Sequence, residues 1–435
     1  MKRRWWWGLI GMTGVWAQAY EWNTPQLTAA QATLIRQDLL PFAADYSGPL
    51  SLRHQGDVSS TYTAGVYLGW QAGPWTQVYS DFERFDGSGI SAATGLASIT
   101  DGDAVRAGTQ GLPQRIYTAR AYIRQLIPLD TSMHTVERAQ DQLAGAEADR
   151  QIELKMGVLA VNDDFDKNRY ANNTRNQFMN WSLINNTAWD FAADTRGYTS
   201  GMMLAWQTPQ WTWRAGVYRM PRFANAMPLA AIDQGYGLNT QLTWREEGGR
   251  VWRILAYQNH ADMGSYADAL ALARASGSVP DITATRQQGR LKTGLGLNLE
   301  QPWADDGETG AFMRLGWDDG HTESFAYTEM DRVFSLGVQV SGRHWRRPQD
   351  HWGLAYVAGG LSPAHANYLV AGGQGFVLGD GALSYGPEQL VETYYRCQLL
   401  SYLQLSPDLQ VIQNPGFNRA RGPVTVLGAR LHLEY

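Results

Sequence analysis

The chain has 435 residues, 36 Lys+Arg against 41 Asp+Glu for a net charge of −5, and only 18% charged residues, with 46 Gly, 18 Trp and 21 Tyr. A mean hydropathy of −0.36 is too polar for a bundle of membrane helices, and the charge content falls below the roughly 25% of soluble domains, a combination met where apolar and polar residues alternate. The single Cys397 excludes an internal disulfide and any multi-cysteine metal site, and an acidic total without a long basic run excludes nucleic acid as a partner.

Lys2, Arg3 and Arg4, the uncharged Trp-rich run from Trp5 to Trp16, and Ala17-Gln18-Ala19 together predict a secretory signal over residues 1–19, cleaved after Ala19. Loss of the three basic residues takes the net charge to −8. Residues 20–60 read as an N-terminal periplasmic appendage. Within it, Thr24 to Ala43 predicts a short helix with Leu27, Ala30, Leu34 and Leu39 on one side and a proline near its end.

From about Tyr62 onward the period is two. Tyr62, Ala64, Val66, Leu68 and Trp70 form one apolar face, and Leu291, Leu295, Leu297 and Leu299 alternate with Lys292, Gly294, Gly296, Asn298 and Glu300. The pattern recurs with Met313, Leu315 and Trp317 opposite Phe312, Arg314 and Gly316, and again over residues 334–341 and 352–358. Many segments are about ten residues long, enough for a tilted strand to cross a bilayer. Trp70 and Trp75, Trp206 and Trp211, and Trp244 and Trp252 flank short turns, as an interfacial aromatic girdle would. Short turns alternate with long connections near residues 86–114, 163–200, 260–288 and 360–389; the patch Ser265 to Ala275 in the third predicts a packed loop helix.

The last segment alternates Leu427, Ala429, Leu431, Leu433 and Tyr435 with Gly428, Arg430, His432 and Glu434. A strand charged on one face cannot meet lipid on both, so that face requires a wet lumen. The resulting fold class is an all-β transmembrane antiparallel β-barrel over residues 61–435. About fourteen to sixteen segments are visible, and the even number typical of bacterial barrels selects sixteen. A soluble β-sandwich with a polar outer face is the competing architecture.

Asp350-His351-Trp352-Gly353-Leu354-Ala355-Tyr356, Glu392-Thr393-Tyr394-Tyr395-Arg396 and Pro407 to Gly416 resemble the carbohydrate-selective porin family (OprB-type) of Gram-negative outer membranes. So do Asn168-Arg169-Tyr170-Ala171-Asn172-Asn173 and Arg175 to Asn180. The resemblance implies a sixteen-stranded barrel passing sugars or polyols by passive diffusion, with an N-terminal helical piece and inward loops that narrow the lumen. It further implies that the amide-rich loop carrying Arg175, Gln177, Phe178 and Asn180 folds into the pore. The chain departs from the family in its low lysine content, Lys2, Lys155, Lys167 and Lys292 only, and in its long 86–114 loop.

A sugar channel needs donors and acceptors that replace water around hydroxyls, and aromatic rings for the partly apolar sugar faces. Strand parity supplies candidates. With Ala119, Ala121 and Ile123 toward lipid, Thr118, Arg120, Tyr122 and Arg124 face the lumen; with Thr393, Tyr395 and Cys397 outward, Glu392, Tyr394, Arg396 and Gln398 line it. The thirty-two arginines have an alternative reading as a compositional preference, and arginines such as these also fit salt-bridge ladders that stiffen a barrel.

Asp164-Phe165-Asp166-Lys167-Asn168 starts like a calcium loop but has Arg169 in place of the required glycine and Arg175 in place of the closing glutamate. No His-Glu-x-x-His, Gly-x-Ser-x-Gly or P-loop pattern is present, so neither cofactor nor metal is expected, nor an enzyme. Alternative functions are a general or organic-acid porin, or an enzyme or adhesin built on the same barrel. The expected partners are sugars, outer-membrane lipid and lipopolysaccharide, and a barrel-assembly machinery that reads the last strand ending in Tyr435, with the protein a monomer or homotrimer.

Overall fold

In hydrocarbon every backbone N–H and C=O must be paired within the protein, so a sheet exposed to lipid has to close on itself. The computed structural model, which describes residues 25–435 except 107, 108, 110, 111, 113, 114 and 328, shows that closure. The strands in chain order are β1 Leu27–Leu39, β2 Asp57–Gly73, β3 Thr76–Gly87, β4 Tyr117–Pro128, β5 Met133–Val136, β6 Gly145–Ala148, β7 Gln151–Leu159, β8 Thr199–Gln207 and β9 Trp211–Arg219. They continue as β10 Tyr236–Arg245, β11 Val251–Met263, β12 Gln287–Ala304, β13 Thr309–Asp318, β14 Arg332–Ser341, β15 His351–Gly360, β16 Glu388–Leu400, β17 Leu403–Gln413 and β18 Val424–Glu434. Among the described residues sixteen strands form a closed antiparallel barrel, while β5 and β6 pair only with each other.

The predicted N-terminal helix is a strand. Ala, Leu and Gln favour helix in isolation, but without a partner β18 and β2 would each leave an open edge in lipid. β1 fills the gap, with Gln31 opposite Glu434 on one side and Gly65 on the other. Its true period is two: Gln31, Thr33, Ile35 and Gln37 are buried toward the lumen, while Ala30, Ala32 and Leu34 face outward. The barrel therefore begins at Leu27 rather than 61. Residues 40–56 are a connection at the long-loop end, tied there by Phe42 N–H to His54 C=O (3.0 Å), and not a periplasmic appendage. The signal over residues 1–19 lies outside the described residues.

Tyr435 exchanges backbone bonds with Ala30 (2.9 and 3.1 Å), so the aromatic C-terminus stitches the last strand to the first. Around the outside, Val66, Ile123, Leu154, Met202, Leu238, Leu295, Leu336 and Leu427 form an exposed apolar belt. Trp206, Trp211, Trp213 and Trp244 cluster at the short-turn end, the rings of Trp211 and Trp244 stacked at 5.6 Å.

The long connections fold inward and fill most of the lumen; Phe165, Tyr170, Phe178 and Trp189 on 160–198 are completely buried. That loop contains a 3-10 turn at Val161–Asp163 and the short helix α1 (Trp181–Ile184), whereas 264–286 and 361–387 carry α2 (Tyr266–Ser276) and α3 (Pro363–Val370). The predicted loop helix at 265–275 is thus α2, N-capped by Ser265. Glycines on the inner wall make room for the loops: a Cβ on Gly316 would lie 1.9 Å from Asn186 Oδ1.

Leu295→Arg, at the middle of the outer face of β12, should cost about 2–4 kcal/mol, read as a lower urea midpoint of the barrel in lipid. An unchanged midpoint would contradict the lipid-facing assignment.

Candidate functional site

An irregular loop inside a barrel carries backbone amides and carbonyls that neither helix nor sheet satisfies, so the wall must do it. Arg314, fully buried on β13, donates to Ala171 C=O (2.7 Å) and Leu183 C=O (3.1 Å) and pairs with Asp166 at 3.0 Å. Glu392 on β16 accepts from the amides of Met179 (2.5 Å) and Asn180 (3.2 Å). Arg430 on β18 donates to Gln177 C=O at 2.7 Å. Lys292 holds Asp190 at 3.1 Å, and Tyr257 donates to Ala188 C=O at 2.8 Å. Inward polar residues on β11, β12, β13, β16 and β18 thereby bind loop 160–198 as a ligand is bound.

The space left lies between that loop and the wall of β2, β3 and β4. It is a cavity of about 350 Å³, within the roughly 300–1,000 Å³ of small-molecule sites. Two arginines organise it. Arg175, from the loop, reaches Glu83 (3.2 Å) and Asp103 (3.2 Å) and donates to the Tyr67 hydroxyl at 3.1 Å. Arg120, from β4, forks onto Asp163 at 2.6 and 3.0 Å and touches Asp81 at 3.3 Å. Glu83 also accepts from the Tyr198 (2.5 Å) and Tyr117 (3.2 Å) hydroxyls. The Arg196 guanidinium lies 3.7 Å from the Tyr117 ring centre, and Trp181 and Tyr327 stack with centroids 5.2 Å apart.

Five carboxylates (Glu83, Asp103, Asp141, Asp163, Asp194) and four cations (Arg120, Lys167, Arg175, Arg196) line the cavity, a formal charge of −1. Asp141 and Asp194 stand on loops rather than strands. Burial raises the Asp141 pKa to about 6, opposed by Arg120 and reinforced by Asp163. Burial raises Asp194 to about 6 as well, against the backbone amides that hydrogen-bond it.

Of the residues singled out in the sequence, Arg120 and Arg175 meet at this cavity. Tyr122 lies beside it, almost buried, stacked on Tyr79 at 5.1 Å. Arg124 is locked to Glu147 (2.5 Å) and Glu153 (2.6 Å) nearer the short-turn end. The others do not line an open pore. Phe178 has no exposed surface and meets Tyr394 edge-on at 4.9 Å; Tyr394, itself buried, donates to Gln339. Asn180 caps α1 and donates to Gln410, and Glu392 is spent on loop amides. Gln177 folds back onto Asn172 N–H and Arg169 C=O, while Arg396 rests on His351. Strand parity is correct for Glu392, Tyr394 and Arg396, but an inward side chain in a filled barrel meets protein rather than water. Thr118 is exposed instead of inward: a bulge opposite Asp81 and Phe82 buries Ala119 and shifts the alternation by one. Glu83 was within reach of the same parity argument, since it alternates with the outward Phe82. Asp103, Asp163, Tyr198 and Arg196 sit on irregular loops with no periodicity to reveal them.

A family model for the carbohydrate-selective porins, OprB family, matches residues 52–435. The chain belongs to that family. It is accordingly a sugar-selective porin of the Gram-negative outer membrane. Its short-turn end is then periplasmic and its long loops external. Its fold is similar to that of Pseudomonas putida OprB at high pH, with a TM-score of 0.69 and 14% identity over 94% of this chain and 93% of that one. The low-pH structure of the same protein matches at a TM-score of 0.44 and 11% identity, covering 94% and 91% of the two chains. The DcaP channel of Acinetobacter baumannii matches at 0.49 and 9%, covering 94% and 96%. No curated protein sequence matches.

Glu392→Ala removes the acceptor for two buried amides, at about 1–3 kcal/mol for each donor left unpaired. The expected outcome is faster proteolysis within 160–198 and a larger single-channel conductance; unchanged values of both would show that the carboxylate does not hold the loop. A second expectation concerns pH. Because the pKa values of Asp141 and Asp194 are raised, both bind protons between pH 7 and pH 5, and the cavity changes from −1 to +1. The reversal potential in a KCl gradient should therefore move toward chloride on acidification.

Proposed function

We propose that the cavity bounded by Arg120, Arg175, Glu83, Asp103 and Tyr198 is the constriction at which this porin selects neutral sugars over ions of similar size. The observation that carries the reading is the near-balance of charge in a site dense with polar groups. A permeating ion meets its own sign nearly as often as the opposite one, whereas each hydroxyl of a sugar both donates and accepts and so matches guanidinium and carboxylate alike. Tyr117, Tyr198 and Trp181 add ring surface for the less polar sugar face. Passage is by diffusion without covalent chemistry. The tightly packed loop residues Phe178 and Asn180 and the wall residues Glu392 and Tyr394 act by holding the inward loop in place.

On the outside, the apolar belt suits contact with lipid and lipopolysaccharide, and the β18 segment ending in Tyr435 suits recognition by the assembly machinery, as a monomer or homotrimer. A general or organic-acid porin is separated from this reading by flux. Protein reconstituted in liposomes should admit glucose faster than glutamate, and Arg175→Ala, which leaves Glu83 and Asp103 unbalanced, should shift ion selectivity toward cations. Equal wild-type rates for glucose and glutamate would favour the general channel.

A further inference from the structure

The connection between β4 and β7 breaks the rule that governs its end of the barrel. Its neighbours there are short turns, yet residues 129–150 form a 22-residue insertion with its own β5–β6 hairpin. The hairpin root is closed by Leu129 N–H to Arg150 C=O (2.8 Å), and the segment beyond β5 turns back into the lumen. Glu147 is gripped by Arg124 in a two-pronged pair (2.5 and 3.1 Å). Leu143, buried, donates its amide to the Tyr79 hydroxyl at 3.1 Å. Asp141 accepts from the Tyr122 hydroxyl at 3.4 Å and lies 3.8 Å from Arg120, four positions further into the barrel than Arg124.

This brings Gln140 and Asp141 into the wall of the cavity opposite the external loops. Both present a buried polar atom with no hydrogen-bond partner among the described residues, Nε2 of Gln140 and Oδ1 of Asp141. Buried polar atoms are rarely left unmatched, because the desolvation cost is not recovered. One is a donor and the other an acceptor on adjacent residues, the pairing that two neighbouring hydroxyls satisfy.

We propose that the tip Gln140–Asp141 is the periplasmic floor of the sugar site: a solute-contacting, selectivity-determining segment that binds a vicinal diol and is supplied by an insertion from the opposite end of the barrel to the other inward loops. The proposal rests on the cavity being the constriction. It gives the site a composite construction, in which Arg175 and Asp103 arrive from outside, Arg120 and Glu83 from the wall, and Gln140 and Asp141 from below. The tip lies outside the barrel strands, so its side chains can be changed without breaking a lipid-facing pair.

The test uses full-length protein in planar bilayers and liposomes, carrying Cys397→Ser so that an introduced thiol is unique. In Gln140→Cys, glucose should slow modification by a small methanethiosulfonate reagent, and modification should lower conductance. Asp141→Asn and the Gln140→Ala/Asp141→Ala double variant should lower the glucose-to-chloride flux ratio roughly fivefold, the worth of about one hydrogen bond. Modification at the same rate with and without glucose, or a flux ratio unchanged in both Asp141 variants, would overturn the proposal. If the wild type prefers glucose to glutamate while the thiol introduced by Gln140→Cys is unprotected, the floor is wrong and the constriction reading survives. A wild type without that preference defeats the constriction reading, and with it the assignment of the tip to sugar.

Discussion

Everything inside this barrel depends on one requirement: an irregular chain buried away from water must find a partner for each of its peptide groups. Loop 160–198 has one turn of α-helix, one 3-10 turn and no strand, so most of its amides and carbonyls look to side chains. The wall answers with groups that bond several peptides at once. A guanidinium offers five donors and a carboxylate up to four acceptor sites, which is why Arg314, Arg430 and Glu392 stand where they do. Neutral short side chains would not span the gap, and glycines such as Gly316 let the loop come close enough to be reached.

The same requirement shapes the cavity. Charges brought together in a confined, partly desolvated space must be balanced or neutralised. Arg175 bridges two carboxylates and Arg120 three, from different elements, and so they fix the positions of loop and wall relative to one another. The product is a rigid, nearly neutral surface with many oriented dipoles. Such a surface discriminates by hydrogen-bond geometry more than by net charge, which is the discrimination that a hydroxyl-rich, uncharged solute needs.

Much of the architecture was legible in the residues. Period-two alternation found the strands, their inner and outer faces and the long connections, because one face meets lipid and the other does not. It failed at two places for identifiable reasons. Over 27–39, Ala, Leu and Gln favour helix locally, and only the open edges of β18 and β2 make a strand there. At Thr118 a bulge moves the parity by one residue, and bulges have no period to announce them. The site was less legible. Parity correctly turned Glu392 and Tyr394 inward, yet whether an inward residue touches solute depends on whether a loop already occupies the space.

The sequence by itself determined that this chain makes an outer-membrane barrel and which family it belongs to, because alternation, aromatic turn flanks and local motifs are properties of neighbouring residues. Tertiary structure alone decided which polar residues bind loops and which are left to face the cavity. That division is set by pairs such as Arg175 with Glu83 and Arg314 with Ala171, more than ninety positions apart along the chain. It also decided that the short-turn end contributes to the cavity, since nothing in residues 129–150 read alone shows that their tip turns inward to Tyr79, Tyr122 and Arg120.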